Sequence, residues 1–418
     1  MSTQVTEVDV PAAGDTGGIG QAVRDYIARV RGGDIGSLPA VLGLIALVIL
    51  FGVLEGGTFL SIFNFANLIN QSAAIIVLAM GLVFVLLLGE IDLSAGFAAG
   101  TAAAVLAVVL TNMGMAWPIA LLAALLTGVV IGLTIGLLVA RLGIPSFVVT
   151  LAMFLALQGA MLLIIGEGGT IPIRDDAILV IMNGNMPVIL GWVLAVVIIG
   201  GFAFINLMAI SRRRKAGLPA ESMSVWAVKV IALAVLVVVA TYLLNQERQL
   251  ATANVVIQGV PWVVVVILAL LVILTFILQR TGFGRHVYAV GGNREAARRA
   301  GINVKGLMIT CFIFCSTLAA VAGVLLASRD NSVSPTTGGA QTLLFAVGAA
   351  VIGGTSLFGG RGKVRDAVIG GLVIAVIANG LPLITQQSGI QFVVTGLVLL
   401  VAASVDAISR RRASTTGR

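Results

Sequence analysis

The sequence predicts an all-α membrane protein, and three observations lead to that fold class. Hydrophobic residues make up 59% of the 418 residues, and charged residues make up only 10%. The mean hydropathy is +1.13, which would leave a water-soluble domain with large exposed apolar patches. The apolar residues are also grouped into runs long enough to cross a hydrocarbon core of ~30 Å as helices.

The apolar runs number twelve, and a helical segment is predicted in each. The tenth run is short and rich in glycine, so a full crossing and a broken or re-entrant segment both remain open for it. In chain order the runs are Leu38–Leu54, Leu68–Leu88, Leu93–Leu110, Trp117–Ala140, Phe147–Ile165, Pro187–Ile210, Val225–Leu244, Val260–Leu278, Leu307–Ala327, Leu343–Phe358, Ala367–Leu383 and Phe392–Ile408.

The distribution of positive charge predicts the orientation of these segments. Cytoplasmic loops of membrane proteins carry an excess of Lys and Arg. With the N-terminus inside and twelve crossings, 21 of the 25 Lys and Arg residues fall in the inside regions. Both termini are therefore expected in the cytoplasm, and the protein is expected to be a multi-pass protein of a bacterial cytoplasmic membrane.

This orientation divides the chain into regions. Residues 1–37 are expected to form a cytoplasmic segment that contains a short amphipathic helix on the inner leaflet, because apolar residues recur there at helical spacing opposite arginines. Residues 38–408 form the predicted transmembrane domain. Within it, residues 281–306 form the longest cytoplasmic loop, and residues 409–418 form a basic cytoplasmic tail.

Composition and motifs exclude several classes of function. The net charge is +8, but the cations are dispersed over separate loops, so we expect contact with anionic membrane lipid and none with nucleic acid. Cys311 and Cys315 lie one helical turn apart in an apolar run and His286 is the single histidine, so no metal or cofactor site is expected. Leu357 and Val364 stand where a phosphate loop needs Gly and Ser or Thr, so any ATP is hydrolysed by a separate protein.

The loop between the eighth and ninth runs carries signals for a short helix. Asn293 is placed to cap it, Glu295 would lie favourably at its N-terminal end, and Gly301 would end it in a left-handed turn. From spacing alone, two interpretations are open: a surface helix that joins two membrane segments, or a rigid element that transmits force.

A family resemblance enters at this loop. The spacing Glu295-Ala296-Ala297, three residues, Gly301 is similar to the EAA loop of permease subunits in ATP-binding cassette (ABC) importers. The longer string from Tyr288 to Val304 resembles the ribose/xylose-type sugar permeases, and the xylose permeases most. The resemblance implies that the loop docks on an ATP-binding subunit. The implied contact residues are Asn293, Arg294, Glu295, Ala296, Ala297, Arg298 and Gly301.

Other segments resemble the same family. They are Asn64–Ile69, Glu90–Gly96, Pro145–Ala152 and Val351–Gly360. Each match is weak alone, and together they cover much of the chain. The implied assembly is a homodimer with two ABC ATP-binding subunits and a periplasmic sugar-binding protein.

Acidic residues between the second and third runs need compensation, because a charge at the bilayer centre is costly. The simpler interpretation is that Glu90 and Asp92 reach the inner surface and that Asp92 or Ser94 caps the next helix. The alternative is a proton relay or a part of the solute path.

Amide side chains in or beside the membrane helices are candidates for a sugar path, because they can replace water without holding the solute tightly. Bonds between helices are the more common role of such groups. The candidates are Asn67, Gln71, Gln158, Asn206, Gln258, Gln341 and Asn379.

The predicted function is therefore the permease subunit of an ABC importer for a monosaccharide, with a xylose-like pentose as the expected solute and alternating access as the mechanism. Two alternatives remain: a proton-coupled secondary transporter that uses Glu90 and Asp92, and a membrane scaffold that moves no solute.

Overall fold

The computed structural model describes residues 36–166, 168–249 and 256–398, together with residues 20, 24, 400 and 404. Helices form nearly all of the regular structure in these residues. In chain order the elements are α1 (Leu38–Leu54), α2 (Gly56–Phe59), α3 (Ile62–Leu87), α4 (Ala95–Ala107, continued by a π-helical turn, Val108–Asn112), α5 (Trp117–Ala140), α6 (Ser146–Ile165), β1 (Ile171–Pro172), α7 (Asp176–Asn183), α8 (Val188–Lys215), α9 (Met223–Leu244), β2 (Arg248–Gln249), β3 (Val256–Ile257), α10 (Val263–Arg280), α11 (Gly282–Gly292), α12 (Arg294–Arg299), α13 (Val304–Asp330), β4 (Ser332–Val333), α14 (Gly339–Gly353), α15 (Val364–Ile384) and α16 (Ser388–Val398).

The predicted fold class is confirmed: this is a polytopic all-α membrane protein. Within the described ranges, nine helices are long and apolar enough to cross a membrane, namely α3, α4 with its π-helical turn, α5, α6, α8, α9, α10, α13 and α15. The shorter apolar helices α1, α14 and α16 occupy the first, tenth and twelfth predicted segments. The predicted cytoplasmic segment, residues 1–37, and the predicted basic tail, residues 409–418, lie outside the described residues, apart from residues 20, 24, 36 and 37.

The tenth segment differs from its predicted bounds. It begins four residues earlier than expected and ends at Gly353 rather than Phe358. The reason is local: Gly354 adopts a left-handed conformation (φ 119°), and its amide donates to the carbonyl of Val351. Such a C-terminal glycine ends a helix, so the residues that follow it form a turn.

The chain forms two compact units. The smaller unit, Met186–Val260 with terminal residues that lie mostly outside the description, contains α8, α9 and the β2–β3 pair. Only 11% and 17% of the most apolar 18-residue stretches of α8 and α9 are buried in the protein, which is typical of helices that face lipid. The indole nitrogen of Trp226 donates to the carbonyl of Ala203 at 3.2 Å and links them.

The larger unit, Gly36–Asn185 and Pro261–Arg411, holds the main core. In its central helices α3, α4 and α13, 83%, 67% and 67% of the most apolar 18-residue stretch is buried. Helix α13 has 27 residues, so it extends about 40 Å, and its two ends define opposite ends of this unit. At its C-terminal end, β4 pairs antiparallel with β1.

Glycines let α5 approach α13 closely, as their spacing of four predicts. A Cβ added to Gly128 or Gly132 would lie 2.5 Å from a carbonyl oxygen of α13, and one added to Gly136 would lie 2.8 Å from the Cα of Ile309. The two backbones are therefore in direct contact.

Candidate functional site

The loop between α10 and α13 folds into two short helices. Thr281 caps α11 by accepting the Gly284 amide at 3.3 Å. Asn293 caps α12 by accepting the Ala296 amide at 2.9 Å. Gly301 follows α12 with φ +83°. The cap, the short helix and the left-handed turn predicted from the sequence are confirmed, whereas α11 was not predicted.

Helix α12 presents its charges outward and is anchored by one apolar side chain. Ala297 is 5% exposed, whereas the side chains of Arg298 and Arg299 are 70% and 79% exposed. Glu295 accepts hydrogen bonds from Arg298 and Arg299. These bonds, the one from Arg298 most, lower the pKa of the Glu295 carboxyl below its usual value. The helix therefore shows a basic face that is held in shape by pairs within one turn.

Two further segments lie against α11 and α12 at the N-terminal end of α13. The hydroxyl of Tyr288, in α11, donates to the carbonyl of Gly362 at 2.7 Å. The amide of Gly360 donates to the carbonyl of Leu87, at the end of α3, at 2.9 Å. We call this end of the larger unit the basic end. Its cationic residues are Arg285, Arg294, Arg298, Arg299, Lys305, Arg361, Lys363 and Arg365.

The acidic motif also reaches the basic end. The carboxylate of Glu90 forms an ion pair with the guanidinium of Arg294, the first residue of α12. Asp92 differs from the simpler interpretation, because it is 0% exposed and does not reach the surface. One of its carboxylate oxygens accepts from the amide and the hydroxyl of Ser94, at 2.9 and 2.6 Å.

The sequence left Asp92 or Ser94 as the cap of this helix, and Asp92 is the one whose side chain accepts a backbone amide there, that of Ser94. Ser94 occupies the position before α4, but its side chain makes no capping hydrogen bond. Its hydroxyl is used by the neighbouring carboxylate of Asp92 instead.

Two of the predicted path residues are brought together. Asn379, in α15, and Asn64, in α3, exchange amide hydrogen bonds of 2.8 and 2.9 Å. The Asn379 amide nitrogen also lies 3.2 Å from the side-chain oxygen of Gln71 in α3. We call Asn64, Gln71 and Asn379 the amide cluster. Asn64 was not selected as a path residue, although its spacing of seven from Gln71 places both on one face of a helix.

The other path candidates make no hydrogen bond to this cluster in the described residues, although Asn67 lies one turn from both Asn64 and Gln71 on α3. Asn67 is half-buried on α3, and Gln158 and Gln341 are exposed on α6 and α14. Gln258 is exposed in the smaller unit. Asn206 donates to the carbonyl of Phe202, one turn earlier in its own helix.

Several residues that shape the basic end escaped sequence reasoning. A Cβ added to Gly291 would lie 1.8 Å from the carbonyl oxygen of Leu87, and Gly359 and Gly360 adopt positive φ of 85° and 73°. Their conformations depend on chain segments far apart in sequence. The segments Glu90–Gly96, Tyr288–Val304 and Val351–Gly360 each contain glycine. This signal did not show that the three segments lie close together.

Comparison with known proteins identifies the family. The family model described as "Branched-chain amino acid transport system / permease component" matches residues 64–403. The xylose transport system permease protein XylH of Haemophilus influenzae is 34% identical over 90% of this chain and 98% of that protein. XylH of Escherichia coli K12 is 35% identical over 89% of this chain and 92% of its own length.

A shorter match extends the likeness to other sugar permeases. The ribose import permease protein RbsC of Bacillus subtilis is 41% identical over 35% of this chain and 46% of that protein. No solved structure matches the chain. The match over residues 64–403 and the identity to full-length permeases lead to one conclusion: the chain belongs to the family of branched-chain amino acid transport system permease components, and it is a transport subunit rather than an enzyme.

Proposed function

We propose that the chain is the membrane-spanning permease subunit of an ABC importer for a monosaccharide, and that a xylose-like pentose is its solute. The observation that carries this proposal is the full-length identity to two permeases named for xylose transport. Shorter matches to permeases named for ribose, allose and fructose support the wider class of monosaccharides. The protein would lie in a bacterial cytoplasmic membrane with both termini inside.

Helix α12 is the proposed docking element for a separate ATP-binding subunit. A docking helix needs a defined first turn, a buried residue that anchors it to its own protein, and an exposed face for its partner. The Asn293 cap defines the first turn, and buried Ala297 is the anchor. Arg298 supplies exposed charge, and Glu295 keeps that charge oriented.

The proposed assembly is the one that the family implies, and it is consistent with the lack of a phosphate loop in the sequence. Two ATP-binding subunits would act on a homodimer of this chain, and a periplasmic sugar-binding protein would deliver solute to the outer face. When ATP closes the partner subunits, α12 would move, the inner side of the path would shut and the outer side would open. The exposed apolar surface of α8 and α9 would contact lipid.

The amide cluster is the proposed part of the solute path that best fits a sugar. Amides donate and accept hydrogen bonds, which matches the hydroxyl groups of a pentose. Asn67 and Gln71 lie one turn apart on α3, and both are partly accessible. Gln158, Gln258 and Gln341 remain candidates on exposed surfaces.

Reconstitution into liposomes tests the proposal. Liposomes would contain the chain together with the ABC ATP-binding subunit and the sugar-binding protein encoded beside it. They should import radiolabelled xylose only when ATP is present on the side of the membrane that carries the ATP-binding subunit. Uptake should survive a protonophore. Uptake that needs no ATP and stops with the protonophore would instead establish proton coupling through Glu90 and Asp92. No flux with any pentose or hexose would leave the scaffold alternative.

A further inference from the structure

We propose that Glu90 is a positioning residue that ties α12 to the membrane helices, and that a contact between four glycines beside it carries the movement of α12 to the amide cluster. This inference rests on the proposed function, because it assumes that α12 receives force from an ATP-binding subunit. We call Gly89, Gly291, Gly359 and Gly360 the glycine junction.

The Glu90–Arg294 ion pair differs from the other pairs of α12. Glu295 binds Arg298 and Arg299 within the same helix, and those side chains are 51–79% exposed. Glu90 lies in the loop between α3 and α4, and its side chain is only 12% exposed, whereas that of Arg294 is 48% exposed. Dissolved salt screens a partly buried ion pair less than a fully exposed one. Among the described pairs of α12, this one joins the helix to another part of the protein.

The loop that carries Glu90 is held at several points, so a pull on it is not absorbed by loop movement. The Glu90 amide donates to the carbonyl of Val85 at 3.2 Å. The hydroxyl of Thr150, in α6, donates to the carbonyl of Ile91 at 3.3 Å. Asp92 then binds Ser94 directly before α4. A displacement of Glu90 therefore acts on α3, α4 and α6 together.

The glycine junction provides a second connection that works by contact. A Cβ on Gly291, at the end of α11, would lie 1.8 Å from the Leu87 oxygen and 2.7 Å from the Gly360 nitrogen. A Cβ on Gly359 would lie 2.9 Å from the Gly89 nitrogen. The three backbones touch with no side chain between them. Closely packed elements transmit displacement because they cannot be compressed.

These connections lead to the two helices that hold the amide cluster. The end of α3 forms one side of the glycine junction, and α3 carries Asn64 and Gln71. The loop that contains Gly360 leads into α15, which carries Asn379. The Tyr288 bond to Gly362 adds a further tie between α11 and this loop. A push on α12 thus reaches both sides of the cluster.

The test compares Glu90→Gln with wild type in the reconstituted complex, and it measures both ATP hydrolysis and sugar imported per ATP. Glu90 lies outside α12, so the variant should still assemble with the ATPase and should keep its basal ATP hydrolysis. Import per ATP should fall roughly tenfold, within the usual range of coupling between sites. Glu90→Asp, which keeps a carboxylate for Arg294, should retain a large part of it.

A matched control removes an ion pair elsewhere. Glu221→Gln breaks the pair with Lys229, whose side chains are 34% and 52% exposed, and it should change neither rate. A second test keeps the proposal open to refutation if Glu90→Gln folds poorly. Glu90→Cys with Arg294→Cys, joined by a reducible thiol cross-linker as long as the native Arg–Glu pair, should import more sugar per ATP than the same variant after reduction, and native Cys311 and Cys315 are buried.

The outcomes separate the two proposals. If wild type imports sugar with ATP and Glu90→Gln imports equally well per ATP, the link through Glu90 is refuted and the proposed function stands. Equal import per ATP by the cross-linked and the reduced cysteine pair would refute it as well. If wild type shows no ATP-driven import, the proposed function itself fails.

Discussion

The packing of α5 on α13 permits a quantitative prediction for Gly132→Ala. The added Cβ would lie 2.5 Å from the carbonyl oxygen of Phe312 and 2.6 Å from the Cα of Ile313, whereas ordinary contact begins at 3.4 Å. The two helix backbones must therefore separate locally by about 0.9 Å, the difference between 3.4 and 2.5 Å. Overpacking of this kind costs about 1–3 kcal/mol.

A matched variant removes the effect of helix propensity. Gly159 lies within α6, and nothing stands within 4 Å of an added Cβ. Both substitutions gain the same preference of Ala over Gly in a helix, about 1 kcal/mol. The free energies of unfolding of Gly132→Ala and Gly159→Ala should therefore differ by about 1–3 kcal/mol, with Gly132→Ala the less stable.

Unfolding in mixed micelles, titrated with a denaturing detergent and followed by helix circular dichroism, measures this difference. The slopes of the two titrations should agree, so that the midpoints report stability. Equal stability of the two variants would refute the close approach of α5 and α13. A loss in Gly159→Ala as large as that in Gly132→Ala would refute it as well.

Three further predictions follow from single contacts. Asn379→Leu leaves Asn64 without its amide partner and should lower the free energy of unfolding by about 1 kcal/mol, whereas Asn206→Leu, half-buried and bonded within its own helix, should change it little; equal losses in the same titration would contradict this. Asn293→Ala removes the cap of α12, worth about 1 kcal/mol, and should weaken ATPase binding about fivefold in a titration by light scattering, with Asn293→Asp unaffected. Asn67→Leu should reduce the initial rate of sugar uptake without changing ATPase binding; an unchanged rate would remove Asn67 from the path.

The sequence predicted the membrane helices well because each depends on its own apolar run. Trp117–Ala140 and Leu38–Leu54 match the structure at both ends. The Asn293 cap was also predictable, because a cap involves residues only three positions apart. In these cases the deciding interactions are local, so the order of residues is sufficient.

Contacts between distant segments were not predictable in the same way. Glu90 and Arg294 are 204 residues apart, and neither residue alone indicates that the two would meet. The amide cluster joins Asn64 to Asn379 over 315 residues. The sequence left open whether Asp92 lies at the inner surface or in a solute path, and the structure places it in the interior, where Ser94 donates to one of its carboxylate oxygens.

The tenth segment shows how a local signal can be outweighed. Its apolar residues continue to Phe358, so the hydrophobic run predicts helix beyond Gly353. Conformation decides instead, because Gly354 turns the chain and the following loop packs against α3 and α11. The local conformation of Gly354 therefore sets this boundary, and the hydrophobic run does not.

Labelling of a cysteine on α12 tests the central claim most directly. Arg299→Cys would place a thiol where the native side chain is 79% exposed. In inside-out vesicles stripped of the ATP-binding subunit, a membrane-impermeant maleimide should label it, and rebinding of that subunit should protect it. Labelling from the outer face of intact cells, or no protection by the ATP-binding subunit, would contradict the account.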